Sequence, residues 1–186
     1  MMPVSGGPVL IRDGAEDDIP ACLALDSRFE TTAVLQVYLH GRESHGWELS
    51  LQRERLPRPV ELNSTVQRAP LRAALDQGGC FLVAERTAET IVGCLVMSVD
   101  DTNSFALIRT LVVGADSRRR KIATRLIAAA GVWAREHHCN RLMAELQTKN
   151  APAISFLESL GFQFCGFNDR YFSDENVALF FCLPLK

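Results

Sequence analysis

Four adjacent cations, Arg118, Arg119, Arg120 and Lys121, are the residues whose type and spacing point most directly to chemistry. They follow an apolar run, Phe105 to Val113, and precede Ile122, Leu126, Ile127, Ala130 and Trp133, which recur at helical spacing. The pattern predicts a strand, a basic loop and an amphipathic helix over 118–137. The first N–H groups of a helix have no intrahelical partner, and the dipole is positive there. Such a start binds anions. Cations at this end oppose the dipole, so their clustering suits a shared anion such as a pyrophosphate. A solvated basic turn without a ligand is the alternative.

Other reactive side chains form no comparable pattern. None of the six cysteines, Cys22, Cys80, Cys94, Cys139, Cys165 and Cys182, makes a C-x-x-C pair. Most sit among apolar neighbours, which predicts buried free thiols in a reducing compartment. His137 and His138 are adjacent, so on a helix they diverge and make a poor metal pair; no metal site is expected.

The elements that must position the loop follow from periodicity and breakers. Val9 to Arg12 reads as a strand, and Asp17-Asp18 with Pro20 as the start of a helix. Thr31 to His40, a turn at 41–46 and alternating Trp47 to Leu56 predict a β-hairpin, ended by Pro57-Arg58-Pro59. A short helix over Ala69 to Gln77 stops at Gly78-Gly79. Cys80 to Glu85 and Ile91 to Val99 read as a hairpin joined by polar residues 86–90, and Phe105 to Val113 as the next strand. Beyond the basic loop come a strand at Arg141 to Leu146 and a helix from Asn150 to Leu160, capped by Gly161. Closing strands are expected at Phe162 to Tyr171 and Val177 to Leu183. The order predicts one domain over residues 1–186, a mixed α/β sheet with helices on both faces, carrying a hairpin or loop insertion at 36–67.

Composition bounds the rest. The 186 residues are 47% hydrophobic and 23% charged, with 20 basic against 22 acidic side chains. That excludes disordered, collagenous and coiled-coil classes and disfavours a general nucleic-acid role. Met1 to Pro8 lacks the pattern of a signal peptide. No apolar stretch approaches the roughly 20 residues that span a bilayer, so a cytoplasmic protein without membrane association is expected.

The segment 107–126 resembles the acetyl-CoA-binding motif of the GNAT superfamily, Arg/Gln-x-x-Gly-x-Gly/Ala, with Arg118 first and Ala123 last. Lys121 stands where the family has Gly. Asn150 to Phe162 is similar to the family's Asn-x-x-Ala-x-x-Phe-Tyr-Glu-x-x-Gly-Phe, with Leu157 in place of Tyr. Ile91-Val92-Gly93 and Ile11-Arg12 with Asp17-Asp18-Ile19-Pro20 fit as well. The resemblance covers most of the chain, most weakly over 36–67.

It implies a mostly antiparallel, twisted sheet splayed at its centre, and acetyl-CoA as the acyl donor. Leu111, Val112 and Val113 would pair with the pantetheine arm like an added strand. The backbone of Arg119, Arg120, Lys121, Ile122, Ala123 and Thr124, with Arg118, would hold the pyrophosphate. Asn150, Ala153 and Phe156 would flank the thiol end, and a backbone N–H of Val112 or Val113 would polarise the acetyl carbonyl.

Transfer to an amine needs a base for the amine, stabilisation of the oxyanion, and a proton or its equivalent for the thiolate. Arg109 occupies a position near which family members often carry a carboxylate. Glu145, alternating with apolar neighbours, is the first candidate base and Glu85 the second. With Leu157 in the place of the usual Tyr, Tyr171 is the candidate acid. Residues 143–150 and 174–180 loosely resemble streptothricin acetyltransferases, which implies a small-molecule amine acceptor. A protein or peptide amine, and a non-catalytic acyl-CoA-binding regulatory module, remain open, as does a homodimer.

Overall fold

The computed structural model describes residues 7–41, 46–64, 66–86, 90–172 and 176–186. The expected turn at 41–46, the connection 86–90 and the stretch 174–180 therefore lie partly outside the described residues. Among the described residues nine strands and four α-helices follow in chain order: β1 (Val9–Asp13), α1 (Ile19–Leu23), β2 (Arg28–Gly41), β3 (Trp47–Asn63), α2 (Arg68–Asp76), β4 (Cys80–Arg86) and β5 (Thr90–Asp100). Then come β6 (Phe105–Val113), α3 (Ile122–Glu136), β7 (Arg141–Gln147), α4 (Ala151–Ser159), β8 (Gln163–Asn168) and β9 (Ala178–Pro184). Seven strands form one sheet in the order β1-β4-β5-β6-β7-β9-β8, and β2 and β3 form a separate ribbon. This is the expected mixed, mostly antiparallel sheet.

The chain divides into two compact units. The first holds Met1–Arg28, Asn63–Ala144 and Cys182–Lys186; the second holds Phe29–Leu62 and Glu145–Phe181. In the first unit β1, β4, β5 and β6 pair antiparallel in that order. Strand alternation gives this sheet two apolar faces. On one, Ile19 and Cys22 of α1 and Leu71 and Ala74 of α2 pack with Phe81, Val83, Cys94, Val96 and Val112. Helix α3 covers the other with buried Ile122, Leu126, Ile127 and Ala130.

Gly93 sets how closely α3 lies. A Cβ built there would stand 3.0 Å from the Val112 carbonyl oxygen, 3.3 Å from Val113 Cγ2 and 3.5 Å from Ile122 Cγ2. Backbone cannot yield as a side chain can, so Gly93→Ala is expected to destabilise the fold by about 1–3 kcal/mol through overpacking. Thermal unfolding of the variant checks this.

An ion network ties β1 to α1 and β4. Arg12 Nη1 and Nη2 donate to Asp18 Oδ2 and Oδ1 at 2.7 and 2.9 Å, and its Nε to Glu85 Oε2 at 2.6 Å. The Arg12 hydrogen bond holds the Asp18 carboxyl below its ordinary range, against the opposing effect of burial.

Three expectations change. Strand β3 runs through Pro57 and Pro59 to Asn63 instead of ending before them. The two prolines are two residues apart, so both missing N–H groups point to one edge, and a two-stranded ribbon has an unpaired edge to accept them. Helix α3 begins at Ile122 rather than Arg118, because Arg119 and Lys121 adopt left-handed backbone with φ of 62° and 60°, which cannot continue a right-handed helix. Strand β8 stops at Asn168, so Tyr171 follows it beyond a turn in which Arg170 is left-handed (φ 54°).

The cysteine reading holds in part. Cys22, Cys80, Cys94 and Cys139 are buried, whereas Cys165 is exposed and Cys182 intermediate. Burial pushes the Cys80 thiol up to about 12 and raises Cys139, so neither offers a thiolate nucleophile near neutral pH.

Candidate active site

The basic loop is built on β6. Gly114 ends the strand, its N–H donating to Val92 O at 3.0 Å. A single turn, Ala115–Ser117, then leads to Arg118 in extended conformation and to the left-handed pair Arg119 and Lys121. The first bond of α3 is donated by the Arg125 N–H to Lys121 O at 3.1 Å. The amides of Ile122, Ala123 and Thr124 therefore precede the helical ladder, and no side chain caps them. Arg119, Arg120 and Lys121 are exposed around them. Free amides, the dipole and three surface cations converge at one helix start, which suits a doubly charged phosphate group.

Arg118 behaves differently from its neighbours. Its Nε donates to Val113 O at 3.1 Å, Nη1 to Arg28 O at 2.6 Å and Nη2 to Asp26 O at 3.4 Å. The guanidinium is committed to fastening the loop to the end of β6 and to the 26–28 segment. Beside it, hydrogen bonds from Arg28 hold the Asp26 carboxyl down at about 2.

Lys121 occupies backbone that glycine adopts freely, at a cost of about 1–2 kcal/mol for other residues. That strain acts on stability whether or not an anion is bound, whereas the ammonium acts on binding. Lys121→Gly is thus expected to raise Tm by about 2–8 °C while weakening binding of coenzyme A by about tenfold. Calorimetry against coenzyme A and pantetheine separates the two effects, since only the former carries the pyrophosphate.

Strand β6 outruns its ladder with β7 among the described residues. Its parallel ladder with β7 runs from Phe105↔Arg141 to Ile108↔Ala144 and stops there. Leu111, Val112 and Val113 lie past the end of that ladder, where an extended amide-bearing chain can add as a strand. Val112 is buried, and Leu111 and Val113 are half-buried.

The second unit brings two predicted residues together: the Tyr171 hydroxyl donates to Glu145 Oε2 at 2.7 Å. Phe172 and Phe180 hold the phenol edge-on, with ring centroids 5.2 and 5.5 Å away. A carboxylate and a phenol in contact form a proton-accepting and proton-donating pair. Asn150 caps α4, its Oδ1 accepting from the Ala153 N–H at 3.2 Å. Phe156 is half-buried on that helix, and Leu157 is only 3% exposed, so it serves the core. Glu85 stands in the first unit, held by Arg12.

Sequence reasoning did not find the clamp made by Arg118 or the left-handed backbone at Lys121. The second had a signal: the family's Gly at that position marks backbone with positive φ. Among the described residues no cluster of His, Cys, Asp and Glu could hold a metal, and no helix is long and apolar enough to cross a membrane.

Residues 45–162 match the acetyltransferase (GNAT) family. The structure is similar to that of a nourseothricin acetyltransferase, with a TM-score of 0.82 and 23% identity, covering 96% of this chain and 99% of that one. It is also similar to a protein of Bacillus anthracis described as a streptothricin acetyltransferase, solved with acetyl coenzyme A, with a TM-score of 0.79, 23% identity and the same coverage. Over 97 residues the sequence is 30% identical to N-alpha-acetyltransferase 30 of Saccharomyces cerevisiae, covering 50% of this chain and 55% of that one. The chain thus spans about half the length of this curated relative. The strand–loop–helix in which β6 outruns its ladder and leads to uncapped amides lies inside the matched span, and the chain belongs to the acetyltransferase (GNAT) family.

Proposed function

We propose that this protein transfers an acetyl group from acetyl-CoA to a primary amine by direct attack in a ternary complex. The observation that carries the reading is the run of β6 into α3: a strand that outruns its ladder with β7 and ends in a helix start whose amides no side chain caps. The strand beyond that ladder suits the amides of pantetheine, and the helix start suits its pyrophosphate. Acetyl-CoA supplies an activated acyl carbon. A backbone N–H of Val112 or Val113 stabilises negative charge on the acyl oxygen. Glu145 accepts the proton of the attacking amine, and Tyr171 donates one to the departing sulfur.

The acceptor is a small-molecule amine in this reading, supported by the similarity over nearly the whole chain to acetyltransferases named for streptothricin-type antibiotics. The yeast relative favours a second reading, a peptide or protein N-terminus, over half the chain. Release of coenzyme A, followed with a panel of small amines and peptides, tests both. Tight binding of coenzyme A with no turnover on any amine overturns catalysis and leaves an acyl-CoA-binding module.

A further inference from the structure

Among the described residues, one half-buried arginine beneath the basic loop has no counter-charge. Arg86 ends β4, and two residues before it Ala84 pairs with Gly93. A Cβ built on Gly93 would stand 3.5 Å from Cγ2 of Ile122, the first residue of α3. Alternation therefore places Ala84 and Arg86 on the face that α3 covers, whereas Glu85 between them turns to Arg12. From there Arg86 reaches past β5 to the turn that follows β6. Its Nη2 donates to Ser117 Oγ at 2.7 Å, and Ser117 is only 5% exposed.

That hydrogen bond is the one the guanidinium makes among the described residues. Asp116, on the same turn as Ser117, is exposed and does not pair with it. The Arg86 Nε is sealed from solvent and bonds to nothing. Arg12, on the neighbouring strand, shows the ordinary arrangement, matched by both Asp18 and Glu85. A guanidinium withdrawn from water without an opposite charge costs stability, and such costs concentrate where a ligand answers them. The loop above indicates the ligand's charge. The Ala115 N–H donates to Asp26 O at 3.0 Å, so the turn Ala115–Ser117 is held at its start by the 26–28 segment and at its end by Arg86. Uncapped amides at the α3 start follow, and such amides take an anion. The sealed Nε offers phosphate no direct bond, so Arg86 acts through Ser117 and through its field, which protein screens less than salt water does.

We propose that Arg86 is a positioning residue for acetyl-CoA: it fixes the turn that presents the α3 amides, and its charge is balanced when the cofactor's pyrophosphate is seated on them. The inference rests on the placement of acetyl-CoA proposed above and brings to that site a residue of β4, outside the strand–loop–helix. Protein without cofactor bears the uncompensated charge, and protein with cofactor does not. Arg86 therefore raises affinity while lowering the stability of the cofactor-free protein.

Arg86→Met keeps most of the side-chain volume and removes the charge. It is expected to bind coenzyme A about tenfold more weakly by calorimetry, while pantetheine, which lacks the pyrophosphate, binds within about twofold of wild type. The loss should appear in KM for acetyl-CoA, with kcat within about twofold. Arg86→Lys should recover most of the affinity, since it restores the charge. Arg86→Gln, which can still donate to Ser117 but carries no charge, gives the same comparison where the methionine variant does not fold. The Tm of cofactor-free Arg86→Met should equal or exceed that of wild type, whereas the rise in Tm on saturation with coenzyme A shrinks. A residue that only supports the fold would instead lower the cofactor-free Tm and weaken coenzyme A and pantetheine alike, and that result overturns the proposal. So does coenzyme A affinity unchanged in the uncharged variants, which leaves the acetyltransferase reading intact. Coenzyme A and pantetheine bound equally by wild type would overturn the cofactor placement as well, because no phosphate site is then in use.

Discussion

Glu145→Gln should lower kcat for amine acetylation by about 100-fold or more, within the range for loss of a positioned general base. The amide keeps the shape and can still accept the Tyr171 hydroxyl, which donates at 2.7 Å in the wild type, but it cannot take the proton of the amine. Tyr171→Phe removes the proton donor and the same hydrogen bond while keeping the ring that packs edge-on against Phe172 and Phe180. In the proposed mechanism the two groups act through one contact, so the double variant should lose little more than the worse single variant. Steady-state kinetics on all three, with calorimetry against coenzyme A, gives the answer. Activity of Glu145→Gln within about threefold of wild type would remove this residue from the mechanism.

Arg118→Ala should have a comparably large effect by another route. One guanidinium reaches three backbone carbonyls, those of Val113, Arg28 and Asp26. Hydrogen bonds to a charged donor contribute about 1.5–3 kcal/mol each at most, and the clamp is partly solvated. A loss of about 2–3 kcal/mol and a fall in Tm of about 4–12 °C follow. The clamp also fixes the loop whose free amides precede α3, so coenzyme A should bind about 10–100-fold more weakly, since its pyrophosphate must then order the loop itself. Arg118→Lys should not rescue either effect, because a single ammonium cannot span the three carbonyls that the planar fork reaches. Restoration of full affinity by lysine would mean that the residue acts by charge alone. The contrast with Lys121 is informative: there, glycine should raise Tm while lowering affinity.

Much of this site was legible from local pattern. The apolar run 105–113, the cations 118–121 and the helical spacing from Ile122 onward are features of contiguous residues, and each local preference agreed with the strand, loop and helix observed. Asn150 to Phe162 was equally legible, since a capping Asn, an early Pro and a terminal Gly act within one helix. The family resemblance rests on these same contiguous stretches.

Other features were settled only by pairing between distant segments. Nothing in the order Ile108-Arg109-Thr110 announces a bulge; it exists because β5 and β6 keep their register on both sides of one extra residue. Pro57 and Pro59 read as a strand end, yet the strand continues because its partner lies on one side only. Tyr171 meets Glu145 across 26 positions, and Arg118 reaches Arg28 across 90. Helix and strand periodicity is a property of neighbours along the chain, whereas register, bulges and side-chain bonds of this range are properties of the folded sheet. That is why the sequence by itself determined the family, the basic loop and most of the elements. Which carboxylate holds the tyrosine, which arginine clamps the loop and where the ladder slips at Arg109 were decided by the tertiary structure alone.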